Sequence, residues 1–236
     1  MISAFFMALG DLRDPRVRSV LLKSICFSLV TALALWITLS WLLSSIVLIG
    51  EVPIIGGWLE TTLDWLGSIA VFLLLVLLFP AFLGLYASLY IETTCRAVEE
   101  RHYPQLQTPR NQSTMEAVIV GVKFGALLIA FNLFLLVFIV FPPIYLMLGW
   151  AVNGYLLGRE YLELVGLRRM NPSKLRSYRF NNRGRTFMSG LILAVIASIP
   201  VANLILPLLG TAMMVHVLEG TRGPEDYFNN IQSDLS

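Results

Sequence analysis

Four long apolar blocks divide the chain, and short polar segments separate them. The blocks cover residues 20–50, 65–91, 117–157 and 187–218. A helix rises about 1.5 Å per residue, so the first two blocks would extend about 46 Å and about 40 Å, whereas the hydrocarbon core of a bilayer is about 30 Å thick. These two blocks therefore predict two long transmembrane helices.

The third block is longer than one membrane helix needs, and it contains a strong helix breaker. Pro142 and Pro143 divide it into a long arm and a short arm of residues 144–157. Proline lacks a backbone N–H and clashes with the preceding turn, so a regular helix does not run through such a pair. This block predicts a helical hairpin.

The fourth block is interrupted at its centre by Pro200, Asn203 and Pro207. Its arms, residues 187–199 and 208–218, would reach only about 20 Å and about 16 Å as helices, which is less than the thickness of a bilayer. We predict a second hairpin that enters the membrane partway. Its turn must be buried in protein or face water, because lipid cannot pair the backbone groups, and Asn203 is suited to pair some of them. One long proline-kinked helix is the alternative.

The composition agrees with a membrane protein. Of the 236 residues, 57% are hydrophobic and 14% are charged, whereas an average soluble domain carries about 25% charged residues. We therefore predict an all-α integral membrane protein with one membrane domain over residues 1–236. Residues 1–19 are expected to form an amphipathic surface segment, with an unstructured tail as the alternative, and residues 221–236 are expected to form a tail.

Basic residues are distributed unevenly between the blocks. Residues 159–185 contain eight basic and two acidic side chains, whereas residues 24–95 contain no Lys or Arg. Basic segments of membrane proteins stay on the cytoplasmic side. The distribution predicts a cytoplasmic N-terminus, a cytoplasmic segment 159–185 and an external loop 51–64, so the third block begins and ends on the same side of the membrane.

The sequence contains no recognisable catalytic or metal-binding motif. His102 and His216 are far apart and lie outside any HExxH pattern, and Cys26 and Cys95 have no CxxC partner. We expect no enzyme activity, no cofactor, no metal and no nucleic-acid partner. The centres of the apolar blocks also lack the ionisable groups that are typical of proton-driven transporters, which favours a passive path.

Two polar clusters are candidates for function. In DLRDPRVRS, Pro15 suits the start of a helix, and Arg16 and Arg18 follow it. A helix N-terminus beside arginines suits an oxyanion, although topogenic charge or contact with lipid phosphate is an equal alternative.

The second cluster is IETTCRAVEERHYP, where Glu92, Arg96 and Glu100 follow one another at i, i+4 spacing. Side chains at this spacing share a helix face and can form ion pairs. Such pairs are either structural or part of the lining of a vestibule.

Three stretches of the sequence together resemble a known family. They are DPRVRSV before the first long helix, LYIETTCRAVEERHYP at the end of the second, and SIPVANLILPLLGTAMMVHVLEG near the end of the chain. Over about residues 5–220 the chain resembles the CysZ sulfate-permease family and the broader etoposide-induced 2.4 family. The resemblance implies a multi-pass protein of the bacterial inner membrane, with two long transmembrane helices and two partial hairpins. It also implies that the protein forms oligomers and takes up sulfate for cysteine biosynthesis.

The resemblance further implies an anion site, because members of the family carry a Pro-Gly-apolar-Arg-Arg stretch that binds sulfate. Here Pro15 and Arg18 match the proline and the first arginine, whereas Arg16 replaces the glycine and Ser19 replaces the second arginine. The leading hypothesis is an anion permease or channel that binds sulfate or a related oxyanion at Arg16 and Arg18. The path would run through a homo-oligomeric pore near Glu92 and Arg96.

The alternative hypothesis is a membrane scaffold or a membrane-shaping or assembly protein that transports nothing. Hairpins that enter one leaflet wedge it without any substrate. The basic segment 159–185 suits anionic membrane lipids or the acidic surface of a partner.

Overall fold

The computed structural model describes residues 1–47, 56–110 and 113–222, and every regular element among them is an α-helix. The predicted all-α fold is confirmed for these residues. The helices are α1 (Ile2–Asp11), α2 (Pro15–Val47), α3 (Gly56–Ser88), α4 (Ile91–His102), α5 (Thr114–Leu136), α6 (Pro142–Gly166), α7 (Pro172–Asn181), α8 (Arg183–Ala197), α9 (Pro200–Asn203) and α10 (Leu206–Glu219).

Local sequence signals explain where several of these helices begin. Ser113 caps α5 by accepting a hydrogen bond from the backbone N–H of Glu116, three residues later. Asn171 caps α7 in the same way, accepting from the backbone N–H of Lys174 at 2.9 Å. Prolines occupy the first turns of α2, α6, α7, α9 and α10, where no intrahelical N–H is needed. The prolines therefore begin new helices, as the interruptions in the sequence predict.

The chain forms two compact units. The first consists of Met1–Arg18 together with the chain from Ile91, and the second is Ser19–Tyr90. In the second unit, Tyr86 of α3 stacks on Phe27 of α2, and its hydroxyl lies 2.6 Å from Thr31 Oγ1. Tyr90, later in the chain, contacts the earlier Lys23, so the two segments run antiparallel where they meet.

The core of the first unit surrounds α10. From Leu208 to Glu219 every residue of this helix is buried. Helices α1, α4, α6 and α8 all pack against it. An α-helix that is apolar on all sides needs neighbours on all sides, which explains why four helices surround it.

Helices α6 and α8 approach so closely that only glycine fits between them. A Cβ atom added to Gly190 would lie 1.9 Å from the carbonyl oxygen of Gly154, and one added to Gly158 would lie 2.3 Å from that of Thr186. The missing side chains allow the two backbones to touch, as small residues do in membrane helix pairs.

The fourth apolar block folds as a hairpin and not as one kinked helix. Helix α8 ends at Ala197, α9 occupies Pro200–Asn203, and α10 begins at Leu206. Because α10 packs back against α8, the chain reverses between them. The third block is also divided at Pro142, and its helices α5 and α6 pack against each other.

Three helices are long and apolar enough to cross a membrane among the described residues. The spans are Pro15–Leu42, Trp65–Ser88 and Val118–Leu136, and most of their surface is exposed apolar side chain. The third span lies in the first hairpin, so the number of full crossings and the depth of both hairpins stay predictions. The predicted external loop 51–64 is shorter than expected, because residues 56–64 already belong to α3. Residues 51–55 and the tail from residue 223 lie outside the described residues.

The N-terminal segment contains a helix with two different faces. In α1, Ala4 and Ala8 are buried, whereas Ile2 and Phe6 are 70% and 63% exposed. The buried face packs against α10. The exposed apolar face is the surface that an amphipathic helix presents to a membrane, and its location there stays a prediction.

The glycine contact between α6 and α8 can be tested with one methyl group. Gly190→Ala should lower the free energy of unfolding by about 3 kcal/mol or more, because the new Cβ meets backbone that cannot move aside without separating the helices. Thermal unfolding of the purified protein in detergent measures the effect. Gly149→Ala, in α6 but with open space around its Cβ, is the control and should unfold at or above the wild-type temperature. Equal stability of the two variants would contradict the close packing.

Candidate functional site

Arg16 lies at the start of α2 and is already engaged by two carboxylates. Asp14 Oδ1 accepts a hydrogen bond from the backbone N–H of Arg16 at 2.8 Å and so occupies the helix N-terminus. The Arg16 guanidinium donates to Glu100 Oε2 at 2.5 Å, in a pair whose side chains are 54% and 61% exposed. Within the described residues, the exposed side chain of Arg18 forms no ion pair. Arg18 is therefore the predicted anion ligand that is open to an incoming ion.

The predicted ion pair between Glu92 and Arg96 is present, with Arg96 Nε 2.8 Å from Glu92 Oε1. Glu100 does not continue this chain of pairs, because its partner is Arg16. The three residues chosen from the i, i+4 spacing thus divide between two interactions, one within α4 and one with the start of α2.

A larger ion-pair network starts from the same Glu92 and extends along α4 to Glu99, and the sequence does not indicate it. Arg168 donates to Glu92 at 2.6 Å and to Glu99 at 2.7 Å, and Arg169 lies 2.6 Å from Glu99. Glu99 and Arg168 are buried. The buried charges of Arg168 and Glu99 are thus each paired with an opposite charge.

The network changes the acidity of Glu92. Its hydrogen bond from Arg168 outweighs the opposing effect of partial burial and, with a second bond from Arg96, lowers the pKa of Glu92 to about 2. Glu92 is therefore ionised at neutral pH. The only local signals for the network are the helical spacing of Glu92 and Glu99 and the adjacent pair Arg168–Arg169, and neither identifies its partner.

A second polar cluster joins α1, α4 and α10. His102 Nε2 lies 2.8 Å from Asp11 Oδ1, and His216 Nε2 lies 2.7 Å from Asp11 Oδ2. The hydroxyl of Tyr103 lies 3.0 Å from His216 Nδ1. Asp11 and His216 are buried, and the side chain of His102 is 29% exposed.

Asp11 is held as a carboxylate in this cluster. Burial favours its neutral form, but the hydrogen bonds to His216 and His102 outweigh that effect, so the pKa of Asp11 is lowered. The sequence could not predict this cluster because its members come from three helices that are distant along the chain. Their spacing corresponds to no motif.

Basic residues of the segment 159–185 also line a cavity of about 430 Å³. Within its lining, Glu163 pairs with Arg159 at 2.8 Å and with Arg179 at 2.5 Å. Lys123 and Arg176 line the same cavity and form no ion pair within the described part of the chain. The segment is therefore not one uniform charged surface, because Arg168 and Arg169 turn into the core. Three of its other basic residues line the cavity, namely Arg159, Arg176 and Arg179.

The turn of the second hairpin closes through its own backbone. The N–H groups of Asn203, Leu204 and Ile205 donate to the carbonyl oxygens of Ile199, Val201 and Ala202 at 2.8 to 3.3 Å. The side chain of Asn203 forms no hydrogen bond with the described residues. The pairing expected from Asn203 is thus provided by helical turns that begin at Pro200 and end just before Pro207.

Residues 4–207 match the family model described as Sulfate transporter CysZ/Etoposide-induced protein 2.4. The chain belongs to this family. The match covers most of both units, including all the residues of the ion-pair network and of the α2 start, and ends at Pro207 in the first turn of α10. Comparison with curated proteins and with solved structures gave no match.

Family membership and three apolar helices together identify a multi-pass membrane protein. The family suggests a transport function of the sulfate-transporter type and not an enzyme activity.

The buried ion-pair network can be tested by comparing two adjacent glutamates. Glu99→Gln should lower the free energy of unfolding by about 3 kcal/mol, because Arg168 and Arg169 would keep their buried charges with only Glu92 to balance them. Glu100→Gln makes the same change one residue away, in an exposed pair, and should cost about 0–1 kcal/mol. Unfolding of both variants in detergent, by heat or by denaturant, gives the comparison. A cost for Glu100→Gln that equals or exceeds that for Glu99→Gln would contradict the role of the network.

Proposed function

We propose that the chain is an anion permease of the bacterial inner membrane that takes up sulfate for cysteine biosynthesis. The observation that carries this proposal is the family match over residues 4–207, to a family described as containing a sulfate transporter. Three helices that are long and apolar enough to cross a membrane support it.

The proposed anion site lies at the start of α2. Arg18 is exposed there and has no ion-pair partner among the described residues. Arg16 lies two positions earlier and can offer its guanidinium once Glu100 is displaced. Two guanidinium groups suit a tetrahedral dianion, because each presents paired N–H donors. In this proposal Glu100 competes with the anion for Arg16.

The proposed path through the membrane is passive. No Asp, Glu, Lys or Arg occurs in residues 24–42, 65–88 or 124–136, which form most of the three apolar spans. These three segments therefore offer no Asp, Glu, Lys or Arg side chain to carry protons across with the substrate. We therefore expect the concentration gradient of the anion to drive uptake.

The membrane topology and the oligomeric path of this proposal rest on the distribution of basic and apolar residues and on the family resemblance. The N-terminus and the basic segment 159–185 are cytoplasmic, and both hairpins enter the membrane only partway. A homo-oligomer forms the path. The region of Glu92 and Arg96 lines its vestibule. The hairpin turn near Pro200 and Asn203 supports the wall of the path. Anionic lipids contact the exposed basic side chains.

Sulfate uptake into proteoliposomes tests the proposed function. With radiolabelled sulfate and no proton gradient, uptake should exceed that of empty liposomes, and sulfite should compete better than chloride. Arg18→Gln and Arg16→Gln should each weaken the apparent sulfate affinity roughly tenfold, because each removes hydrogen bonds to a charged group. Glu100→Gln should strengthen it, because it releases Arg16.

Arg13→Gln is the matched control for these variants. It removes the same charge from the same segment, but Arg13 lies before Pro15 and outside α2, so uptake should stay close to wild type. Equal loss in all three arginine variants would indicate a general effect of charge and contradict a site at Arg16 and Arg18. No uptake by folded, inserted wild-type protein would contradict transport and favour the membrane scaffold.

A further inference from the structure

One carboxylate and two imidazoles lie close together in the second polar cluster, from Asp11, His102 and His216. One ligand atom from each residue lies within 4.8 Å of the other two. Two histidine nitrogens and one carboxylate oxygen form a typical donor set for divalent transition metals, with a further position left for water. We propose that these three residues form a binding site for such an ion, for which Zn²⁺ is the suitable probe.

Binding of an ion requires a rearrangement of the cluster on the scale of about 1 Å. Bonds of about 2.1 Å to a tetrahedral Zn²⁺ place the ligand atoms about 3.4 Å from each other. The Nε2 atoms of His102 and His216 now lie 2.8 Å and 2.7 Å from the Asp11 oxygens. Each of these two contacts must therefore lengthen by less than about 1 Å. The ligand atoms as a set lie within 4.8 Å of one another, so the widest spacing must shorten by up to about 1.4 Å. Side-chain rotations of this size bring the three atoms to one ion.

The protons of the cluster can also be rearranged. A carboxylate only accepts hydrogen bonds, so both Nε2 atoms carry a proton when they contact Asp11. An ion would replace these protons and require His216 to carry its remaining proton on Nδ1. The hydroxyl of Tyr103, 3.0 Å from that atom, can accept as well as donate. Tyr103 is therefore placed as the outer partner that ligating histidines usually have.

Burial of the cluster favours binding and still permits access. Asp11 and His216 are 2% exposed, so an ion would be held away from bulk water. His102, with 29% of its side chain exposed, lies on the accessible side. Its imidazole can exchange a bound ion with solvent.

One nearby cation opposes the ion and provides a distinguishing test. Arg101 Nη1 lies 3.6 Å from Asp11 Oδ1, and its side chain is 52% exposed. A metal ion would repel this guanidinium, which has solvent into which it can move. Removal of Arg101 should therefore strengthen metal binding, whereas it would weaken a cluster that served only as a hydrogen-bonded support.

The experiment uses the full chain in detergent, with any histidine tag removed and metals stripped with a chelator. Equilibrium dialysis against ZnCl₂, with the metal measured by mass spectrometry, should find one ion per chain. Zn²⁺ should raise the unfolding temperature. His102→Ala should weaken binding at least tenfold, and Arg101→Gln should strengthen it several-fold. Co²⁺ in place of Zn²⁺ should show the visible absorption of a four- or five-coordinate site.

Glu100→Gln is the matched control, since it changes an exposed side chain of the same helix outside the cluster. It should bind Zn²⁺ like the wild type. Asp11→Asn and His216→Gln change buried ligands, and each should also lose Zn²⁺ binding if the variant folds. If these two variants do not fold, His102→Ala and Arg101→Gln decide the test. Zn²⁺ binding that is absent, or unchanged in His102→Ala, would overturn the proposal. Neither result depends on sulfate transport.

Discussion

The complete burial of α10 is the constraint on which the first unit depends. This helix carries three polar side chains into the core, and each needs a partner because an unpaired buried polar group costs about 1–3 kcal/mol. Thr211 bonds back to the carbonyl of Pro207 at 2.7 Å, and Glu219 pairs with Arg222 at 3.0 Å. His216 has no such local partner, and Asp11 of α1 fills that role. This contact adds a polar attachment to the apolar packing of Ala4 and Ala8 between α1 and α10.

The same need for partners divides the basic residues into two classes. Arg168 and Arg169 are buried against Glu92 and Glu99, where a pair adds little net stability but the loss of one member is costly. Such pairs specify which helices meet more than they stabilise the fold. Arg18, by contrast, is exposed and forms no ion pair within the described residues. An anion can therefore pair with Arg18 without displacing a carboxylate, whereas at Arg168 it would have to displace Glu92 or Glu99.

Local features of the fold could be predicted from the sequence, and distant ones could not. The long helices follow from the lengths of the apolar blocks and the rise of a helix. The helix start at Pro15 and the division at Pro142 follow from the missing N–H of proline. The pair of Glu92 and Arg96 follows from helical spacing. By contrast, Arg168 meets Glu99 only because the turn after α6 lies against α4, and periodicity within each helix carries no information about that. The role expected of Asn203 could not be predicted either. The backbone groups of the hairpin turn form hydrogen bonds with each other, so they do not need the Asn203 side chain as a partner.

Helix α4 connects the two candidate sites through two residues that are two positions apart. Glu100 contacts Arg16 at the start of α2, and His102 contacts Asp11 at the end of α1. The stretch from Asp11 to Arg16 is thus attached to α4 at both of its ends. An anion that displaced Glu100 would remove the attachment at Arg16 and leave the one at Asp11. A metal ion shared by Asp11, His102 and His216 would strengthen the attachment that remains, so the arginines could exchange ligands while the segment that carries them keeps its place.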